Sequence, residues 1–112
     1  MSIAVDLSEL DEVVADLDPA AFVCTAGPDL ATKVMHVLVD RDAAGWSARV
    51  GRGTVVNVEA GAAVTLVFPG ATPDAMSLLV DADAEVVPGE QPTVALRPTA
   101  AVWHRSAHGV QR

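Results

Sequence analysis

Between residues 76 and 86, Met76, Leu78, Val80, Ala82, Ala84 and Val86 alternate with Ser77, Leu79, Asp81, Asp83 and Glu85. Successive side chains of an extended strand point to opposite faces, so this period of two predicts a strand with one face on a core and the other in water. Much of the remaining chain is written the same way. Residues 33–39 set Lys33, Met35, Val37 and Val39 against Val34, His36, Leu38 and Asp40; both faces are largely apolar, which predicts a central strand or a subunit contact. Residues 22–25, 46–50 and 62–68 read as further strands, the last a buried one bounded by Gly61 and Pro69. A sixth strand spans 93–103 and contains Pro98, which lacks an N–H and must mark an edge or a bulge. Short turns and loops at 26–29, 40–45, 69–73 and 88–92 separate these segments. The composition agrees: 51% of residues are hydrophobic but only 4% aromatic, with no Tyr, so the core is built from Val, Ala and Leu. The expectation is a mainly β chain, a six-stranded antiparallel barrel forming a single domain over residues 1–112.

Ahead of the strands, Leu7, Leu10, Val13, Val14 and Leu17 recur at helical spacing, with Asp6 or Ser8 as cap and Pro19 as stop. Six of the fifteen acidic residues fall in this first stretch, and its acidic face is expected to be solvated. Residues 104–112 read as a loose polar tail. A net charge of −8 argues against nucleic acid and anionic membranes as partners, because phosphate backbones demand a basic stripe. A high apolar fraction in so short a chain predicts a homo-oligomer. Cys24 is the only cysteine, sits in an apolar segment, and is expected to be a buried thiol. With no basic leader and no uninterrupted apolar span, a cytoplasmic location is expected.

One stretch departs from framework. After the strand at 46–50, the sequence Gly51-Arg52-Gly53-Thr54-Val55-Val56-Asn57-Val58-Glu59-Ala60-Gly61 reads as a turn and a short helix, with Thr54 as N-cap and Gly61 as terminator. Such a corner offers backbone N–H groups, a hydroxyl and a guanidinium together, the chemistry of an anion or phosphate site. Arg49 and Arg52 are the best local concentration among only seven Lys and Arg, and Lys33 or His36 on the neighbouring strand are the candidate supplements. Other constellations are weaker. Asp81, Asp83 and Glu85 lack a turn that would fold them around an ion, and His104 and His108 have no Glu beside them, so no metal is expected. No Gly-x-Ser-x-Gly elbow is present, and Gly51-x-Gly53 lacks a third glycine and a Lys-Ser/Thr ending. No residue stands out as a catalytic acid or base.

The segment Arg52-Gly53-Thr54-Val55-Val56-Asn57-Val58-Glu59, followed by Ala63-Val64-Thr65-Leu66-Val67-Phe68, resembles the FMN-binding split-barrel superfamily, the pyridoxamine 5′-phosphate oxidase-like proteins. Phe22-Val23-Cys24-Thr25 and the Pro98-containing strand are weaker echoes of the same family. The resemblance implies a homodimeric six-stranded split barrel and an oxidoreductase role. FMN, or the deazaflavin F420, would lie in a cleft between subunits. By position it implies that Arg52, Gly53 and Thr54 meet the cofactor phosphate, that Lys33 and His36 line the strand beside the ring, and that Asn57 holds the helix. A further cation commonly follows the Thr in that family; here the positions are Val55 and Val56. The alternative is a cofactor-free homodimer without enzymatic activity.

Overall fold

The alternation at 76–86 becomes β6 (Ser77–Val87), with Leu78, Val80 and Ala82 buried and Asp81, Asp83 and Glu85 exposed. The other strands are β1 (Ser2–Val5), β2 (Ala20–Ala26), β3 (Thr32–Asp42), β4 (Gly45–Arg49), β5 (Val64–Phe68) and β7 (Thr93–His104), and the helices are α1 (Leu10–Ala15) and α2 (Arg52–Glu59). This computed structural model describes residues 2–105; the rest of the expected tail, with His108, lies outside the described residues. Every strand pairing is antiparallel, in the order β1-β7-β4-β3-β2-β5-β6, and β6 returns to pair with β7. That return closes six strands into the expected barrel and leaves β1 as an added seventh.

The addition is possible because β7 is long and bent. One of its edges lies along β6 from end to end, while on the other edge residues 93–96 pair with β4 and residues 101–104 pair with β1. Between those two partners lies Pro98, which has no N–H to offer a ladder. The β6 register also shifts there: Asp81 faces Ala100 and Ala82 faces Pro98, so Thr99 is an extra residue. Pro98 thus marks both an unpaired stretch of edge and a bulge. Ser2–Val5 carries no alternation of its own and becomes a strand only because this edge is free, which is why the sequence does not announce it.

Three local readings change. The helix expected from Asp6 to Leu17 is split into a 3-10 turn, Leu7–Glu9, and the short α1. Asp6 caps it, accepting the Ser8 backbone N–H at 3.0 Å and the Ser8 hydroxyl at 2.9 Å. These two bonds, the backbone one foremost, hold its carboxyl below the usual carboxylate range. The acidic face is not wholly solvated either: Asp11 accepts the Trp46 indole N–H at 2.9 Å and lies 3.7 Å from Arg41, fastening α1 to β3 and β4. In the β3–β4 hairpin, β3 runs on to Asp42, which pairs with Gly45, so the expected loop shrinks to Ala43 and Ala44. The Asp42 carboxylate accepts the Ala44 N–H at 2.8 Å and Gly45 takes a φ of 123°, a backbone that suits glycine.

Inside, Val23, Leu66, Leu78 and Val80 are fully enclosed, and Trp46 meets Phe68 edge to face at 6.2 Å. Leu66→Ala is expected to lower the unfolding free energy in urea by about 2–5 kcal/mol, the range for emptying a well-packed leucine site, with Val87→Ala, at the exposed end of β6, near zero. Because the Asp6 carboxyl is depressed in the folded chain, its contribution is present above the unfolded carboxylate pKa and is lost as pH falls through the folded one. Asp6→Asn should therefore flatten the acid limb of a stability-versus-pH curve and leave its shape near neutrality unchanged.

Candidate functional site

The corner after β4 is built from the inward rows of β2 and β3. Along β2, Ala21, Val23 and Thr25 are buried; along β3, Val37 and Val39 are buried and the same row continues outward through Met35 to Lys33. Helix α2 packs against β2, β3 and β6, strands from opposite sides of the ring, and so lies across one end of the barrel. Its buried residues are Thr54, Asn57 and Val58.

The N-cap is Gly51, in extended backbone at φ −87° and ψ 172°, and not Thr54. The strand ends at Arg49 and the Val55 N–H already donates to the Gly51 carbonyl at 3.1 Å, so the helix starts before the threonine that the sequence suggested as its cap. Gly51 supplies no capping side chain; its own N–H is directed at Met35 Sδ, 2.9 Å away. The N–H groups of Arg52, Gly53 and Thr54 therefore make up the first turn, with the positive end of the helix dipole behind them. At the far end, the Gly61 N–H donates to the Val58 carbonyl at 2.9 Å and φ is 89°, the terminator expected of that glycine.

Asn57 is the pin. Its Nδ2 donates to Thr25 Oγ1 at 3.0 Å in a buried bond that ties α2 to β2. The neighbouring backbone comes so close that a Cβ on Gly27 would stand 2.7 Å from Asn57 Oδ1. Over the first turn lies Lys33: a Cβ on Gly53 would be 3.6 Å from its Cγ, Cδ and Cε, so the aliphatic stem crosses the helix at its glycine. Neither Lys33 nor Arg52 makes an ion pair with any described residue.

His36 is elsewhere. It alternates to the outer face of β3, where its ring stacks on Phe22 at 4.7 Å, between Val34 (61% exposed) and Leu38 (65% exposed). The fold thus brings Lys33, Arg52 and Gly53 together, seats Thr54 and Asn57 beneath them, and sends His36 to a separate apolar surface. Cys24 belongs to that surface as well, half-buried opposite Val34 and Thr65, and not to the core where it was expected. Met35, Thr25 and Gly27 were missed as parts of the corner. For Met35 and Thr25 the signal was parity, since each shares the row of its strand's buried valines.

Antiparallel closure of six strands with a helix across the barrel end makes this a split-barrel fold. Two solved structures share it. HutZ, the heme storage protein from Vibrio cholerae, superposes with a TM-score of 0.68 at 12% identity, covering 88% of this chain and 94% of its own. A candidate pyridoxamine 5′-phosphate oxidase from Corynebacterium glutamicum does so with a TM-score of 0.63 at 14% identity, covering 95% of each chain. No family model and no curated protein matches the sequence.

Asn57→Ala leaves the buried Thr25 hydroxyl without its partner and should cost about 1–3 kcal/mol in denaturant unfolding. Gly27→Ala should also destabilise, because its methyl meets Asn57 Oδ1. In the double variant that obstacle is gone, so the two losses should fall clearly short of additive in a double-mutant cycle.

Proposed function

We propose that this chain is a homodimeric split-barrel protein that binds a flavin-type cofactor, FMN or F420, by its phosphate at the α2 corner, and serves in oxidoreductase chemistry. The observation that carries this reading is the pairing of two cations without ionic partners among the described residues, Lys33 and Arg52, with the free first-turn amides of α2, in a chain of net charge −8. A positive spot retained against that background is what an anionic ligand requires. In this reading Arg52 and Lys33 take the phosphate oxygens, the amides of Arg52 and Gly53 complete the cradle, and Thr54 and Asn57 hold the turn from below. When bound, the flavin supplies the electron or hydride transfer, and the chain supplies placement.

The proposed dimer forms through the outer face of β3 and β2. Val34 and Leu38 are exposed there, flanking the Phe22–His36 stack, with Cys24 and Val67 half-buried beside it. An apolar row of this kind on a sheet of a water-facing barrel is a candidate for burial against a second copy. His36 then belongs to the dimer face, from which it can meet a ring bound between subunits.

A second reading, a cofactor-free homodimer, is favoured by Val55 and by Val56, which is 59% exposed beside the corner where the family commonly carries a cation.

Visible absorption of the purified protein, followed by titration with FMN, F420 and hemin, separates these. The proposal expects saturable binding of FMN or F420 within roughly tens of micromolar, weakened about tenfold or more by Arg52→Ala and again by Lys33→Ala, since charge-assisted contacts dominate phosphate recognition. Absence of binding by all three, with the dimer intact, establishes the cofactor-free reading, and binding of hemin in preference to either flavin places this chain with the heme storage protein in ligand as well as fold. Leu38→Glu should convert the dimer to a stable monomer in light scattering; a wild type that is already monomeric contradicts the dimer in both readings.

A further inference from the structure

Between β2 and β3 the chain turns through Gly27-Pro28-Asp29-Leu30-Ala31, and this turn is tied to the corner on both sides. At its start, Gly27 lies against Asn57 of α2. Just past its end, Lys33 lays its stem across Gly53. Leu30 precedes Lys33 by three residues, a span of at most about 11 Å. The turn is also closed on itself. The Gly27 N–H donates to the Ala31 carbonyl at 3.0 Å, the Leu30 N–H to the Gly27 carbonyl at 2.9 Å, and the Ala31 N–H to the Asp29 carboxylate at 3.0 Å. Leu30 is therefore carried at a set place within reach of the α2 first turn.

Two properties of Leu30 are unfavourable where it stands. Its φ is 65°, and among the described residues it is the one non-glycine in left-handed backbone, where a Cβ crowds the following carbonyl. Glycine or asparagine would close the same turn with less strain. Its side chain is also 84% exposed, more than any other large hydrophobic residue described. Strain and solvation both disfavour leucine here, and a contact made on binding offsets both.

The surroundings indicate the contact. Val56 follows Arg52 by one helical turn, so it shares that face of α2, where it is 59% exposed. The corner thus presents two cations, Arg52 and Lys33, with two exposed apolar side chains, Val56 and Leu30. Such a surface is complementary to an anion carried on an apolar ring. The face assigned to the dimer runs through Val34 and Leu38 on β3 itself, and Leu30 lies outside it, before the strand begins. On the cofactor reading of the corner, we infer that Leu30 is a specificity-determining residue that packs against the ring system of the bound flavin, while Arg52 and Lys33 hold the phosphate. The cations recognise the anion, and Leu30 selects what is attached to it.

The test compares wild type with Leu30→Gly and Leu30→Met. FMN and F420 are titrated by visible absorption, inorganic phosphate is followed through the Arg52 and Gly53 amide shifts, and each variant is unfolded in urea and sized by light scattering. Leu30→Gly should raise the urea midpoint by relieving the left-handed strain. It should weaken the flavin that binds about threefold to tenfold, the scale for one partly buried apolar contact, and move the bound visible band toward that of free flavin. Phosphate affinity should be unchanged, and Leu30→Met should keep the wild-type flavin affinity. Flavin affinity unaltered in Leu30→Gly, equal weakening of flavin and phosphate, or dissociation of the dimer by Leu30→Gly would overturn this inference and leave the cofactor reading standing. A wild type that binds neither flavin overturns both.

Discussion

Everything in this molecule depends on β7 serving three strands. Its pairing with β6 and β4 turns an open antiparallel sheet into a closed one, and closure is what lets a core of valine, leucine and alanine be enclosed with so few aromatic rings. To pair with β1 as well, the strand must bend, and the bend falls at Pro98 and Thr99, where one residue has no N–H and the next is extra in the register. The same bend leaves a short length of edge unpaired. The added strand and the unpaired edge both follow from one backbone irregularity.

A closed barrel still has open ends, and α2 covers one of them. Covering an end with a helix raises a polar problem, because the last inward residue of β2 is a threonine. Asn57 solves it with one buried hydrogen bond, and Gly27 is a glycine because the amide leaves no room for a Cβ. With the helix fixed in this way, its first turn stands at the barrel rim beside the outermost residue of the β3 inward row, and that residue is Lys33. The local concentration of positive charge thus follows from packing: the residues that hold the helix also determine which cation lies over it.

Most of this architecture is legible in residues. The alternation at 76–86, the apolar run at 62–68 and the proline in the last strand each predict the element that forms: burial on one face leaves the period of two in the first, and burial on both leaves the unbroken run in the second, which forms as Val64–Phe68. Three features were not legible, each for its own reason. Ser2–Val5 is a strand by virtue of the edge it docks on, so its own sequence carries no pattern. Thr54 is the better capping side chain, yet the helix starts at Gly51 because backbone geometry and the Met35 contact decide the start. Asp11 reads as one acid among several on a wet face until the fold brings the Trp46 indole to it from a distant strand. Of the candidate site, the cluster of Lys33, Arg52 and Gly53 follows from the glycine-flanked turn and strand parity. Parity also separates His36 from Lys33: an odd separation in a strand puts two residues on opposite faces.

Whether the corner is a cofactor site is a statement about particular amides. The most direct measurement is a backbone 15N–1H correlation map recorded while FMN, and in parallel F420, is added to the protein. Shift changes that saturate together at Arg52, Gly53 and Thr54, with further changes along β3 from Lys33, are the result this account predicts for the cofactor that binds. Saturable changes confined to other parts of the barrel, with the α2 first turn unmoved, or no saturable change with either flavin, would contradict it.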